Sequence, residues 1–434
     1  MIRKPGLIAL RESCGSDERF VDQIHHHLGL CDENGRRHLD HLGRQQIRFP
    51  DGIRESERIR LDEFNWRGLT EAIFGTDDAS AIQRQFNGPN VQLALLLQEA
   101  GEGAVLPSHL SNVNTLNAIY SGLIQASVLE GYTLPEFINS QLATEETTNI
   151  FEGRKSIGVT LQNPRAEGRQ PSQPTKRAQV GERWITQPLT VENSLAIELT
   201  YEAVFADNLT GGGLMTAARD IGRYVQLQRE YAIIDAFIGV TNTYSYKNNV
   251  YNTYMTGGYY TNRLTANPLM HWTNIQRARV AFRNMRAVEV NQPLTVRPSR
   301  VLCNEELVAQ AGQVKSPTTA VQYRDPASTT QPMNIRIADN PYPGAYDVLT
   351  TPYLYERQTA ADGLGMDATT AGSTWYYYEP GWLKWVVNWP FRVQEAIATS
   401  MDMIDRGLVA FFKADERGIP MVEEPRRVLD NRAA

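Results

Sequence analysis

Cysteine is scarce. Cys14, Cys31 and Cys303 are the three in 434 residues, and their separations fit neither a disulfide framework nor paired C-x-x-C zinc ligands, so a reducing compartment suits them. Long apolar runs are missing as well, since none approaches the roughly 20 residues that cross a bilayer. Met1 to Leu10 carries Arg3 and Lys4 but lacks the apolar stretch and small-residue cleavage site of a secretory signal. The expectation is a product made in a cytoplasm, with no membrane among its partners. A basic excess is the third absence. Lys+Arg number 43 against 49 Asp+Glu, a formal charge of -6, so no global field draws the chain onto nucleic acid, and any such contact is expected to be local and non-specific.

Catalytic signatures are lacking too. His25, His26, His27, His38 and His41 lie near Cys31 and Asp40, yet three adjacent histidines cannot share one helical face, and no H-E-x-x-H or triad spacing follows. A solvated arm is favoured over a metal site. Gly211, Gly212 and Gly213 precede a helical pattern without the Lys-Ser/Thr of a phosphate loop or the G-x-G-x-x-G order of a dinucleotide fold. Glu145-Glu146 and Glu423-Glu424 have no apolar context to raise a carboxyl pKa. The aromatic stretch Trp375 to Trp389 reads as sheet core, with its large residues on one side, rather than a platform for bases or sugars. No catalytic residue, metal or cofactor is expected, and the chain reads as a non-enzyme.

What is present suffices for a substantial core. A chain that is 41% hydrophobic and 21% charged is longer than one compact domain needs, which favours two units plus extended arms. Met1 to about Leu61 is rich in charge and poor in apolar periodicity, which suggests a loosely held arm. Phe64 to Phe74 is an amphipathic cluster that needs a partner surface. Val113 to Leu129 predicts a helix of about four turns, with Gly131, Pro135 and Glu145-Glu146 breaking the pattern. Asn163 to Pro188 carries four prolines and few apolar residues and cannot form a core by itself. Ser156 to Leu161 before it and Leu189 to Phe205 after it alternate like strands, with Leu195, Ile197, Leu199 and Tyr201 on one face. Together they describe a projecting β-hairpin, marginal alone, that needs a neighbour to settle on.

The clearest helix spans Leu214 to Ile238. Leu214, Ala217, Ile221, Tyr224, Leu227, Tyr231, Ile234 and Ile238 recur every three or four residues as one apolar stripe, and Gly239 is placed to end it. Thr241 to Asn262 is a Tyr- and Asn-rich loop or short hairpin. His271 to Met285 predicts a second helix with Trp272, Ile275, Ala278 and Phe282 on one face. Pro298 to Gln313 reads as strand then helix, and Val314 to Ala371 as turn-rich. Trp375 to Tyr378 and Trp382 to Val393 predict strands. Gly407 to Lys413 and Ile419 to Leu429, with a turn at Asp415 to Gly418, predict a terminal hairpin.

The order is arm, helix, projecting hairpin, long helix, mixed unit and terminal strands. It resembles the major capsid proteins of tailed bacteriophages with the Hong Kong 97-type fold. The resemblance lies in LEGYTLPEFI (Leu129 to Ile138), TYEAVFADNLTG (Thr200 to Gly211), YNTY (Tyr251 to Tyr254), NPLMHW (Asn267 to Trp272) and KADERGIPMVEEPRRV (Lys413 to Val428). It implies an α+β fold with an N-terminal arm over 1–110, an arm helix and lead-in over 111–157, and an extended E-loop over 158–188. A peripheral domain with a long spine helix then covers 189–287, an axial domain 288–393, and terminal strands returning to the peripheral domain 394–434. It also implies a shell protein that self-assembles as pentamers and hexamers around double-stranded DNA in a virion, assembled in the host cytoplasm. Scaffold, portal and cement proteins are partners of such shells. An encapsulin-like nanocompartment shares the fold and is the alternative. A carbohydrate-acting enzyme built on the aromatic sheet would need an acidic pair the chain does not offer.

A shell built from one chain needs heterologous contacts, in which one patch meets a different patch on a neighbour. Arg165, Arg169, Lys176, Arg177, Glu182, Arg183 and Trp184 in the loop are the expected intersubunit contacts, although exposed ion pairs give only about 0–1 kcal/mol each. Some relatives of this fold cross-link a loop lysine to a neighbour, and Lys176 is the sole lysine between Ser156 and Tyr246, with no partner identified. Gly211, Gly212 and Gly213 sit beside loop and spine, where hinge freedom serves a chain that fits two surroundings; plain caps and turns account for them equally well.

Overall fold

The computed structural model describes residues 7–14, 16–32, 34–40, 45–49, 110–134, 136–162, 171, 179–200, 213–258, 260–287, 293–315, 319–322, 336–339, 344–397 and 408–433. Its helices are α1 (Leu7–Cys14), α2 (Asp17–His27), α3 (Leu110–Tyr132), α4 (Asn139–Leu142), α5 (Gly213–Ile238), α6 (Trp272–Asn284), α7 (Glu305–Lys315), α8 (Pro352–Thr359) and α9 (Ala368–Ser373). The first strands are β1 (Thr144–Thr147), β2 (Lys155–Gln162), β3 (Gln179–Thr186), β4 (Val191–Thr200), β5 (Tyr244–Tyr246), β6 (Asn249–Tyr251) and β7 (Arg263–Leu264). Then come β8 (Arg300–Cys303), β9 (Thr319–Gln322), β10 (Arg336–Asp339), β11 (Asp347–Leu349), β12 (Trp375–Tyr378), β13 (Leu383–Ile397), β14 (Leu408–Val422) and β15 (Val428–Asn431). The α+β class matches the expectation from sequence. The chain divides into two compact units, Met1–Glu136 with Glu192–Gln228 and Trp389–Arg417, and Phe137–Val191 with Arg229–Asn388 and Gly418–Ala434.

In the first unit the early helices belong to the core, which corrects the expectation of a loosely held start. Phe20 and Ile24 are fully buried with Leu28 and Leu30 against Ile119, Leu123 and Leu129 of α3. The charge-rich composition concealed a four-residue apolar spacing on α2, whose first turn is capped by Ser16 accepting from the Arg19 amide. His26 is buried, its Nδ1 3.0 Å from the Cys31 carbonyl oxygen.

Helix α3 also runs through Gly131 rather than ending before it. A Cβ built on Gly131 would collide with the Arg219 carbonyl of α5, and one built on Gly222 with the Val128 carbonyl of α3. Two glycines therefore let the two backbones meet at this crossing. Because Gly222 must face α3, Tyr224, two positions and about 200° further round, points away and is 52% exposed. The buried face of this stretch runs through Ala218, Ile221 and Val225, so the predicted stripe through Tyr224 is corrected.

In the second unit a five-stranded sheet has the order β11-β8-β12-β15-β7. Strand β12 at its centre reads WYYY, and all four residues are buried. Tyr376 and Tyr378 face one core with Phe237 and Trp382, while Trp375 and Tyr377 face another with Ile275 and Phe282. The aromatic residues thus serve two faces, where one was expected. Leu383, Trp385 and Val387 keep to a single core, as their alternation predicts.

The predicted turn at Asp415 to Gly418 is absent, because β14 is continuous through it. Its two acids find partners in place. Asp415 accepts from Arg392 at 2.5 Å and Lys413 at 3.1 Å, and Glu416 accepts from the Tyr132 hydroxyl at 2.8 Å. Gly418, in the second unit, leaves room for the Trp385 indole.

Candidate assembly surface

The hairpin is built from β2 and β3, paired antiparallel over their full length from Lys155 opposite Thr186 to Gln162 opposite Gln179. Its return strand therefore lies inside the proline-rich tract, and β4, the strand expected to close it, pairs with β14 in another sheet. QVGERWIT carries Val180, Trp184 and Ile185 among polar residues, a pattern that a ladder partner completes but that shows little periodicity by itself.

Two devices hold the hairpin at its root. Gly153, at φ +79, turns the chain so that its amide donates to the Gln187 carbonyl at 3.0 Å while the Gln187 amide donates to Arg154 at 2.8 Å. On the far side, β3 is flanked by β5 and β6, joined by a tight turn in which Lys247 and Asn248 both take positive φ, the geometry of a two-residue type I′ hairpin. The Asn248 side-chain oxygen accepts from the Thr186 hydroxyl at 3.0 Å.

These devices bring cations to an aromatic ring. Lys155 Nζ stands 5.3 Å from the centroid of the Trp184 ring and Lys247 Nζ 5.8 Å, one reaching from β2 and the other from the β5–β6 turn. Ile150, Phe151, Leu189 and Val191, beside the root, are all exposed large apolar side chains. Of the expected contact residues, Trp184 is placed here, half-buried. Glu182 and Arg183 lie on β3 opposite Val159 and Gly158. Arg165, Arg169, Lys176 and Arg177 lie outside the described residues, as do Gly211, Gly212 and Phe64 to Phe74. Gly213 is the first residue of α5.

Along α5 the sequence pattern missed two buried charges. Arg229 is stacked over the Trp385 ring at 5.2 Å and pairs with Glu145. Glu230 is fully buried, accepting at 3.3 Å from the Ile138 amide, and among the described residues its other carboxylate oxygen has no hydrogen-bond partner. Burial raises its pKa to about 7, against the opposing pull of the Ile138 and Asn139 amides and Arg229. Of the expected spine residues, Ile221 and Ile234 are buried, Leu227 is half-buried, and the half-buried Tyr231 donates to Glu356 at 2.9 Å. The Leu214 side chain lies outside what is described. Lys384 is shared at 2.9 Å by Glu146 and by Glu423. Burial opposes the ionised form of Glu146, but the hydrogen bonds and charges of Lys384 and Arg154 outweigh it and hold the carboxyl below its usual value.

Among the described residues no group of three His, Cys, Asp or Glu side chains is placed to hold a metal ion, and no helix is long and apolar enough to cross a membrane. The β2–β3 ladder, with exposed apolar residues and two lysines at its root, presents a surface suited to contact with other chains. The chain belongs to the phage capsid protein family, whose model matches residues 188–417. No curated protein matches it. Among solved structures it is similar to a capsid chain of the cyanophage P-SCSP1u, at 9% identity and TM-score 0.42 over 68% of this chain and 88% of that one. A chain from Mycobacterium phage Ogopogo matches at 12% identity and TM-score 0.40 over 68% and 92%. A chain of the bacteriophage PhiM1 mature capsid matches at 11% identity and TM-score 0.40 over 69% and 87%.

Proposed function

We propose that the chain is the major capsid protein of a tailed phage, a Hong Kong 97-type subunit that assembles as pentamers and hexamers into an icosahedral shell around double-stranded DNA. The family match over 188–417 carries this reading. The β2–β3 ladder supports it, because beyond its contact with β5 at Ile185 it is two-stranded, and a two-stranded ribbon is marginal unless a neighbour covers it. In this reading 158–188 is the E-loop, α5 the spine, 288–393 the axial domain, and Gly211 to Gly213 the hinge. Arg165, Arg169, Lys176, Arg177, Glu182, Arg183 and Trp184 contact adjacent subunits. Assembly takes place in the host cytoplasm and the product resides in the virion, where contact with DNA is non-specific; portal, scaffold and cement proteins are its other partners. Coupling of folding to assembly follows, since neighbours bind only the folded chain.

Sedimentation and electron microscopy of the purified chain test the reading. Five- and six-fold capsomers or closed particles are expected; a monomer at every concentration overturns it. Replacing 163–178 by Asn-Gly keeps β2 and β3 paired, so the subunit should fold yet build no shell.

A further inference from the structure

Lys155 and Lys247 are exposed and flank Trp184. Among the described residues neither has a carboxylate within ion-pair distance. Two exposed ammonium groups around one ring make a face suited to carboxylates. The same chain carries a surface of opposite sign. Glu305 and Glu306 open α7, Asp367 caps α9, and Asp362 precedes that cap, all four exposed. The two helices are neighbours, since the Glu306 carboxylate lies against Gly372 of α9, the helix that Asp367 caps. Arg357 pairs with Asp362 at 2.9 Å, but Arg357 is also held by Asp235 at 2.7 Å, so the face remains acidic in balance.

We infer that the Lys155–Trp184–Lys247 face of one copy docks on the acidic face at Glu305, Glu306, Asp362 and Asp367 of a second copy. The inference rests on the shell-subunit reading and names the surfaces that meet. Charge complementarity between two different patches of one chain is what a heterologous contact requires, and it fixes register as well as attraction.

A charge swap tests it in the full-length chain. Lys155→Glu with Lys247→Glu should raise the concentration needed for particle formation at least about tenfold, read by light scattering, with the thermal unfolding midpoint unchanged. Adding Glu305→Lys and Glu306→Lys to the same chain should restore assembly. Should the reversal disturb folding, Lys155→Gln with Lys247→Gln reads the same contact through a weaker dependence of assembly on salt. Normal assembly of the reversed chain overturns the inference, as does failure of the swap to restore it. A lysine variant that assembles normally but retains less nucleic acid also overturns it and assigns the face to phosphates. Wild-type chain that never assembles sinks the shell reading beneath it instead.

Discussion

The Tyr132 hydroxyl donates to the Glu416 carboxylate at 2.8 Å, and the Tyr132 ring is stacked on Phe391 with centroids 3.9 Å apart. The last residue of α3 thereby holds a buried acid of β14, 284 positions along the chain. Tyr132→Phe keeps the stack and removes the donor, so it should cost about 1–3 kcal/mol. Urea unfolding measures this; a variant as stable as the parent would show that Glu416 does not depend on the hydroxyl.

The α3–α5 crossing tolerates no side chain at two positions. Gly131→Ala or Gly222→Ala meets a backbone carbonyl that cannot move aside and should cost about 1–3 kcal/mol or more. Gly312 in α7 has open space around it, so Gly312→Ala should stabilise by about 0.5–1 kcal/mol. Opposite signs for the two kinds of substitution, read from thermal midpoints, are the expected result.

Glu230 gives the second unit an alkaline weakness. Its carboxyl stays protonated to about pH 7 in the folded chain against an ordinary 4.5, so stability is full below 4.5 and falls as pH rises through 7. The loss reaches about 3 kcal/mol at 1.36 kcal/mol per pKa unit. Glu230→Gln should match the parent near pH 5 and exceed it at pH 8. A difference that does not change between those values would mean the carboxyl titrates normally.

Asp415 has the opposite sense. Burial penalises its charge, but hydrogen bonds and charges from Arg392 and Lys413 outweigh this and depress its pKa below 3.8. Its contribution is present above 3.8 and fades as pH falls through the depressed value. Asp415→Asn should therefore destabilise at pH 7 by about 1–3 kcal/mol and converge on the parent in strong acid. Denaturant midpoints followed from pH 7 downward into strong acid check the convergence.

Several features were legible because their cause is local. The apolar face of α6, the RVLC strand followed by α7, and Gly239 ending α5 at φ +84 each follow from spacing or from one residue's conformational freedom. The hairpin was legible as a polar tract needing support, but its return strand was not. QVGERWIT acquires a register only against KSIGVTLQ. Trp184 was singled out from the sequence, but that Lys155 and Lys247 flank its ring was not legible, because strand pairing and a turn 62 residues downstream of Thr186 bring them together. A lysine in a YSYKNN turn between aromatic residues was the one available hint.

The sequence by itself determined where helices and strands have local reasons to exist, and its motifs pointed to a capsid-like order of elements. Tertiary structure decided which side of each element faces inward. Gly222 against Val128 fixes the rotation of α5 and turns Tyr224 out. Arg392 pairs with Asp415 and the Tyr132 hydroxyl donates to Glu416, so a run of charges that reads as a turn continues as a strand. Charge and backbone bulk are local properties, but the free energy of burying them is set by partners that only the fold brings near.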